Sequence, residues 1–189
     1  MIYQNAHYQG PYRLAMFGQD IIEEWTFYRS YKLHINLSEL SLDNVPENKI
    51  IISNSWTKDY FFYLYNSVGK KYNWWYMHYL DSIDVDKFLS GNKSYITFII
   101  DGQPAGFSII NFENCYIEYF GLFEHFTGKS FSKSFLNACL AHARSKISEL
   151  FLYTNSFDHP AAMPLYLKSG FKILEIRKVG EYYPTSFLN

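Results

Sequence analysis

The sequence predicts an α/β (α+β) fold, a mixed and largely antiparallel sheet flanked by helices. Two observations carry this prediction. Residues 94–123 hold three runs rich in apolar, β-branched and aromatic residues, separated by the turns Asp101-Gly102 and Glu113-Asn114, which is the pattern of an antiparallel meander. Residues 115–177 then alternate strand, helix, strand, helix, strand, with Gly128 opening the first helix and Gly170 closing the second.

The elements follow in order along the chain. Ile21, Ile22, Trp25 and Tyr28 fit one face of a short helix. Leu33, Ile35 and Leu37 alternate with His34 and Asn36, as in a half-buried strand. Residues 40–48 read as a loop around Pro46 and residues 49–54 as a second strand. An aromatic helix spans 57–67, with Thr57 as N-cap and Gly69 beyond its end. Further short helices are expected over 72–80 and 85–89. The meander occupies 94–100, 105–111 and 115–123, and a helix of about four turns covers 129–145. Residues 150–154 form a strand, 160–169 a helix with Pro160 in its first turn, 171–177 a strand and 181–187 a last one. Residues 46–189 are expected to be the main domain and residues 1–45 an extension packed on it.

Composition bounds the function. With 189 residues, 48% hydrophobic and 19% charged, the chain suits one well-cored domain. Aromatics reach 21%, so no single aromatic cluster marks a ligand box. The 17 basic and 18 acidic residues leave a net charge of -1, without the basic footprint of nucleic-acid binding, and no nucleic-acid partner is expected. Cys115 and Cys139 lack metal-ligand spacing and imply no disulfide framework, so no metal is expected. Residues 1–20 show no basic segment followed by an apolar run, and the apolar runs are far shorter than a membrane span. The expectation is a cytoplasmic protein with no membrane partner.

Two segments carry chemistry. The first is Tyr119-Phe120-Gly121-Leu122-Phe123-Glu124-His125-Phe126-Thr127-Gly128-Lys129-Ser130-Phe131-Ser132, which ends a strand and starts a helix. Small residues at 128, 130 and 132, the free N–H groups of a first helical turn and the nearby Lys129 make an anion cradle; the same pattern also fits an ordinary helix start. The second is Thr154-Asn155-Ser156-Phe157-Asp158-His159-Pro160-Ala161-Ala162, running on through Tyr166 to Gly170-Phe171.

Together they resemble the GNAT superfamily of acyl-CoA-dependent N-acyltransferases. Residues 127–132 occupy the acetyl-CoA signature Arg/Gln-x-x-Gly-x-Gly/Ala, and residues 154–171 match the closing motif Asp-His-Pro-x-Ala-x-x-x-Tyr-x-x-x-Gly-Phe. Asp101-Gly102-Gln103-Pro104-Ala105-Gly106-Phe107 adds to the likeness, which covers about residues 48–178. The family's glycines at 130 and 132 are serines here, Thr127 stands for its Arg or Gln, and Glu124 for its Pro.

The resemblance implies a GNAT fold with a splay between the family's fourth and fifth strands. It implies acetyl-CoA as co-substrate, with Phe120, Gly121 and Leu122 pairing with the pantetheine arm. Thr127, Gly128, Lys129, Ser130, Phe131 and Ser132 would hold the pyrophosphate, and Asn155 would meet the arm. Tyr166 matches the tyrosine that protonates the leaving thiolate; a core tyrosine is the other reading. Strand alternation puts Tyr116, Glu118, Phe120 and Leu122 on one face, where Glu118 is either the general base or a solvated strand residue. Asp158 and His159 either cap the last helix, Asp158 taking helix N–H bonds, or place His159 in the acceptor pocket. His125 either pairs with phosphate or lies on the surface. Tyr60, Phe61, Tyr65, Trp74 and Trp75 either line that pocket or pack as core. The implied function is acetyl transfer to a primary amine, a small molecule or a peptide. A binding or regulatory protein on the same scaffold is the alternative, motivated by Thr127, Ser130, Ser132 and Glu124. The first 45 residues either cover the acceptor site or form a homodimer contact.

Overall fold

The computed structural model describes residues 23–41, 49–72 and 74–184. Among these residues seven strands form one sheet: β1 (Glu23–Asn36), β2 (Ile50–Ser53), β3 (Lys93–Ile100), β4 (Gln103–Asn111), β5 (Tyr116–Leu122), β6 (Glu149–Asn155) and β7 (Lys172–Pro184). Their order across the sheet is β2-β3-β4-β5-β6-β1-β7. Among the described residues four α-helices, α1 (Lys58–Gly69), α2 (Ser82–Phe88), α3 (Phe131–Arg144) and α4 (Ala162–Lys168), accompany it. All pairings are antiparallel except β5 with β6, which are joined in sequence through α3.

The meander forms as its turns predict. Asp101 and Gly102 both take positive φ, as a tight hairpin requires. Thr57 caps α1, its hydroxyl accepting the Tyr60 N–H at 3.3 Å. α3 lies on the sheet through Phe135, Leu136, Cys139, Leu140 and Ala143, all fully buried, with Phe135 stacked on Phe98 at 4.8 Å. α1 packs on the sheet through Phe61, Leu64 and Tyr65, where the Tyr65 ring meets Tyr119 edge-on at 5.4 Å.

Several expectations are corrected. Trp25 and Tyr28 belong to β1, not to a helix; Ile21 and Ile22 lie outside the described residues. β1 runs between β6 and β7, paired to Asn155–Glu149 on one side and to residues 172–184 on the other, so residues 23–36 are part of the sheet rather than an extension laid on it. The helix expected over 72–80 is replaced by two 3₁₀ turns, Lys70–Tyr72 and Tyr76–Tyr79. Between them Trp74 N–H bonds the Gly69 carbonyl at 3.1 Å, and a Cβ on Gly69 would lie 2.4 Å from the Trp74 ring, so glycine there seats the indole. The strand expected over 171–177 and the described part of that expected over 181–187 are one continuous strand ending at Pro184, because Gly180 stays in register opposite Phe27; residues 185–187 lie outside the described residues. Most of the loop expected over 40–48 lies outside the described residues.

Candidate functional site

β5 and β6 are registered through only two residue pairs, Tyr116 with Phe151 and Ile117 with Leu152. Beyond them the strands part. β5 stays paired to β4 up to Leu122, and β6 stays paired to β1 up to Asn155, so each strand is held on its outer edge while its inner edge opens. A cleft of about 720 Å³ fills the gap, lined by residues 116–122 of β5, residues 152–155 of β6, the start of α3, α4 and the aromatic segment after α1. Backbone polar groups on such an internal edge need hydrogen-bond partners from outside the sheet.

At one end of the cleft the chain turns from β5 into α3. Gly128 and Ser130 both take positive φ, 72° and 62°. Ser130 is one of three non-glycine residues in that region among the described residues, so the turn keeps a left-handed backbone although serine stands where the family has glycine. The Ser130 side chain caps nothing, which leaves the first N–H groups of α3 directed outward. The Thr127 hydroxyl donates to the Glu124 carbonyl at 2.7 Å and closes the preceding turn. Glu124 is not a bare negative charge: it pairs with Lys71, whose ammonium holds its carboxyl below the usual range.

The cleft brings together most of the residues singled out in the sequence. Phe120, Gly121, Leu122, Thr127, Gly128, Phe131, Ser132, Asn155, Tyr166 and Glu118 line it. Lys129 and Ser130 do not; the Lys129 ammonium lies over the Phe126 ring at 5.8 Å, and Ser130 sets the bend. His125 is exposed and outside the lining. Of the aromatic group, Tyr65, Trp74 and Trp75 reach the cleft, while Tyr60 and Phe61 do not. The Asn155 side-chain carbonyl accepts the Phe157 N–H at 2.8 Å, shaping the turn out of β6.

Tyr166 stands on α4 with its ring edge-on to Phe120 at 6.2 Å and to Phe171 at 5.8 Å. Burial, and then the nearby charge of Asp158, push its phenol well above the ordinary value, so it keeps its proton. Asp158 does not cap α4. Its Oδ2 accepts the Thr154 hydroxyl at 2.6 Å and the Asn155 N–H at 3.0 Å, and the Trp74 side chain also donates to it. Its carboxyl is held above the usual range, burial outweighing these bonds. His159 closes the turn into α4 instead, Nδ1 accepting the Ala161 N–H at 3.0 Å.

Glu118 occupies a place the alternation pattern missed. Ile109 pairs with Tyr119 and Ile110 with Ile117, so Glu118 is the extra residue of a β-bulge. The bulge breaks the expected common face. Tyr119 turns to Phe61, Tyr65 and Phe88, whereas Phe120 stacks on Phe135 at 5.0 Å. Glu118 Oε2 accepts from the Lys93 ammonium at 2.8 Å and Oε1 from the Asn111 amide at 2.8 Å, with Lys93 4% and Glu118 11% exposed. Both oxygens are engaged and the charge is matched, so Glu118 is not the solvated strand residue that was one expectation, and a role as general base would require it to leave Lys93 or Asn111.

The sequence reading missed Tyr28 and Ser30 on β1, Arg177 and Val179 on β7, and Asp158 as a cleft residue. An Asp-His pair before a proline looks the same in sequence whether it caps a helix or faces a cavity. Among the described residues no group of three or more His, Cys, Asp or Glu is placed to hold a metal, and no helix is long and apolar enough to cross a membrane.

Residues 53–171 match the model of the acetyltransferase (GNAT) family, and the chain belongs to that family. No curated protein matches it in sequence. Solved structures share the fold at low identity. A functionally unknown conserved protein from Staphylococcus epidermidis is 15% identical, with a TM-score of 0.59 over 85% of this chain and 63% of its own. A GNAT-family protein from Novosphingobium aromaticivorans is 11% identical, with a TM-score of 0.59 over 90% and 78%. A GCN5-related N-acetyltransferase from Sphaerobacter thermophilus is 13% identical, with a TM-score of 0.53 over 90% and 55%. The chain thus spans less than two thirds of the first and third of these proteins.

Glu118→Gln is expected to lower stability in denaturant unfolding by about 3–5 kcal/mol, the usual cost of stranding one member of a buried ion pair. A loss under about 1 kcal/mol, the range of exposed pairs, would mean that Lys93 and Glu118 are not a structural unit.

Proposed function

We propose that the protein is an N-acetyltransferase that moves an acetyl group from acetyl-CoA to a primary amine by direct attack. The parted strands β5 and β6 carry this reading, since they offer an open sheet edge between a helix N-terminus and a buried tyrosine. Acetyl-CoA supplies the activated thioester. The first N–H groups of α3 and the left-handed turn at Gly128 and Ser130 are suited to its pyrophosphate, with Ser132 in the first helical turn. Lys71, paired with Glu124, adds a cation beside that turn that is able to exchange partners. Residues 120–122 offer backbone groups to an extended amide-bearing arm, and a backbone N–H among them would stabilise the charge that develops on the thioester oxygen.

Proton transfer falls to Tyr166. A phenol held in its protonated form inside the cleft is a donor to a departing sulfur. A covalent route through cysteine has no support in the geometry. Neither Cys115 nor Cys139 lines the cleft, and burial pushes the Cys139 thiol up to about 12. The protein then works by proximity and proton management rather than by an acyl-enzyme.

Calorimetry with acetyl-CoA tests the coenzyme site. Micromolar binding is expected for the native chain, with loss in Ser132→Trp, which fills the first turn of α3 with a bulky ring. No heat at millimolar coenzyme would remove the transferase reading and favour a scaffold with another use. Tyr166→Phe keeps the ring packing, and is expected to lower kcat by about 100-fold or more while coenzyme affinity stays within a few-fold. An unchanged kcat would assign the tyrosine to packing alone.

A further inference from the structure

The acceptor side of the cleft has a chemical character of its own, and the acceptor it selects rests on the transferase reading proposed for the same site. The wall formed by the segment after α1, the paired ends of β5 and β6, and strands β1 and β7 is built from rings. Tyr116 and Tyr153 stack with centroids 5.5 Å apart and planes 9° apart. Trp74 lies 5.1 Å from Tyr119, and Tyr72 meets His159 edge-on at 5.9 Å.

Charge on this surface is scarce. Among the described lining residues the ionisable groups other than tyrosine are Glu118, Asp158, His159 and Arg177. Glu118 is bound to Lys93 and Asn111, Arg177 is held by Glu175 at an exposed rim, and His159 Nδ1 is committed to the Ala161 N–H. Asp158 differs from Glu118 in that its bonds come from neutral donors, so among the described residues its charge is not matched by a cation. Thr154, Asn155 and Trp74 brace it in the wall.

We infer that the acceptor is a primary amine carried on an uncharged aromatic or apolar body, and that Asp158 receives its ammonium beside Tyr72 and Trp74. Rings attract an ammonium by its charge and cover an apolar body by contact. Among the described lining residues, a carboxylate on the acceptor would face Asp158 and find Arg177 already paired with Glu175 at the rim, and a second ammonium would find no second carboxylate that is not already matched by a cation. The protons balance. Asp158 takes one proton from the ammonium and passes it to water. The amine nitrogen bonds the acetyl carbon as the carbon–sulfur bond breaks. Tyr166 gives its proton to the departing sulfur and recovers one from the acylated nitrogen. A carboxyl held above its usual range by burial is better able to take the first proton.

The test monitors thiol release from acetyl-CoA with three amines, beside calorimetry of acetyl-CoA alone. The amines are 2-phenylethylamine, L-phenylalanine, which adds one carboxylate, and spermidine, which adds charge without a ring. The expected kcat/KM for 2-phenylethylamine exceeds the other two by about 100-fold, since a like-charge or stranded-charge penalty acts against them. Asp158→Asn, checked for folding by circular dichroism, is expected to lower that kcat/KM by about 100-fold with acetyl-CoA affinity changed by less than about threefold. The ranking of the amines by the unaltered chain decides the acceptor class independently of the variant. Coenzyme binding with equal or better turnover of L-phenylalanine or spermidine, or with no turnover of 2-phenylethylamine, overturns the acceptor assignment and leaves the coenzyme site standing. Full activity in a folded Asp158→Asn protein overturns the role of Asp158. Failure to bind acetyl-CoA overturns the transferase reading, and this inference with it.

Discussion

Parallel strands β5 and β6 meet through two residue pairs and then separate, and the rest of the structure is arranged around that separation. An opened sheet edge in the middle of a domain is costly unless both strands are anchored elsewhere. Here β4 anchors one and β1 the other along their outer edges, with α3 packed across the sheet through Phe135, Leu136 and Cys139. The two strands that flank the gap are thus each held from the side away from it.

The Glu118 bulge is part of the same arrangement. It turns Glu118 into a pair with Lys93 and re-aims β5, so that Tyr119 joins the aromatic cluster around Tyr65 and Trp74 while Phe120 faces α3 and α4. The turn that leads into α3 shows how a signature can drift in residue type without losing its backbone. Ser130 adopts the left-handed conformation that glycine adopts freely, and Lys71 matches the acidic Glu124 beside it. Two of the four departures from the family signature, Ser130 and Glu124, are thereby met within the local structure.

Legibility in the sequence followed the range of the interactions. The meander, α1, α3 and α4 were readable because their signals are local: Asp101-Gly102, Thr57, Gly128 and Gly170 each act within a few residues. The end of β1 was readable from the alternation of Leu33 and Ile35 with His34 and Asn36, but its longer first part was not, since a strand whose partners lie more than a hundred residues away is defined by pairing with β6 and β7 rather than by its own pattern. Trp74-Trp75-Tyr76 read as a helix because apolar runs look alike, yet the Gly69–Trp74 contact breaks the helical course there. At the site, Tyr166 and the turn at 127–132 stood out by motif. Glu118 was misread because a single-residue bulge reverses alternation, and Asp158 because its partners Thr154, Asn155 and Trp74 are apparent only once the chain is folded.

The most direct measurement is hydrogen exchange along the chain with and without acetyl-CoA. Coenzyme seated between the parted strands predicts slowed exchange at backbone amides of residues 119–122 in β5 and 128–133 at the start of α3, with β2 and β3 unchanged. Protection confined to other segments, with these two stretches exchanging as in the free chain, would contradict the account.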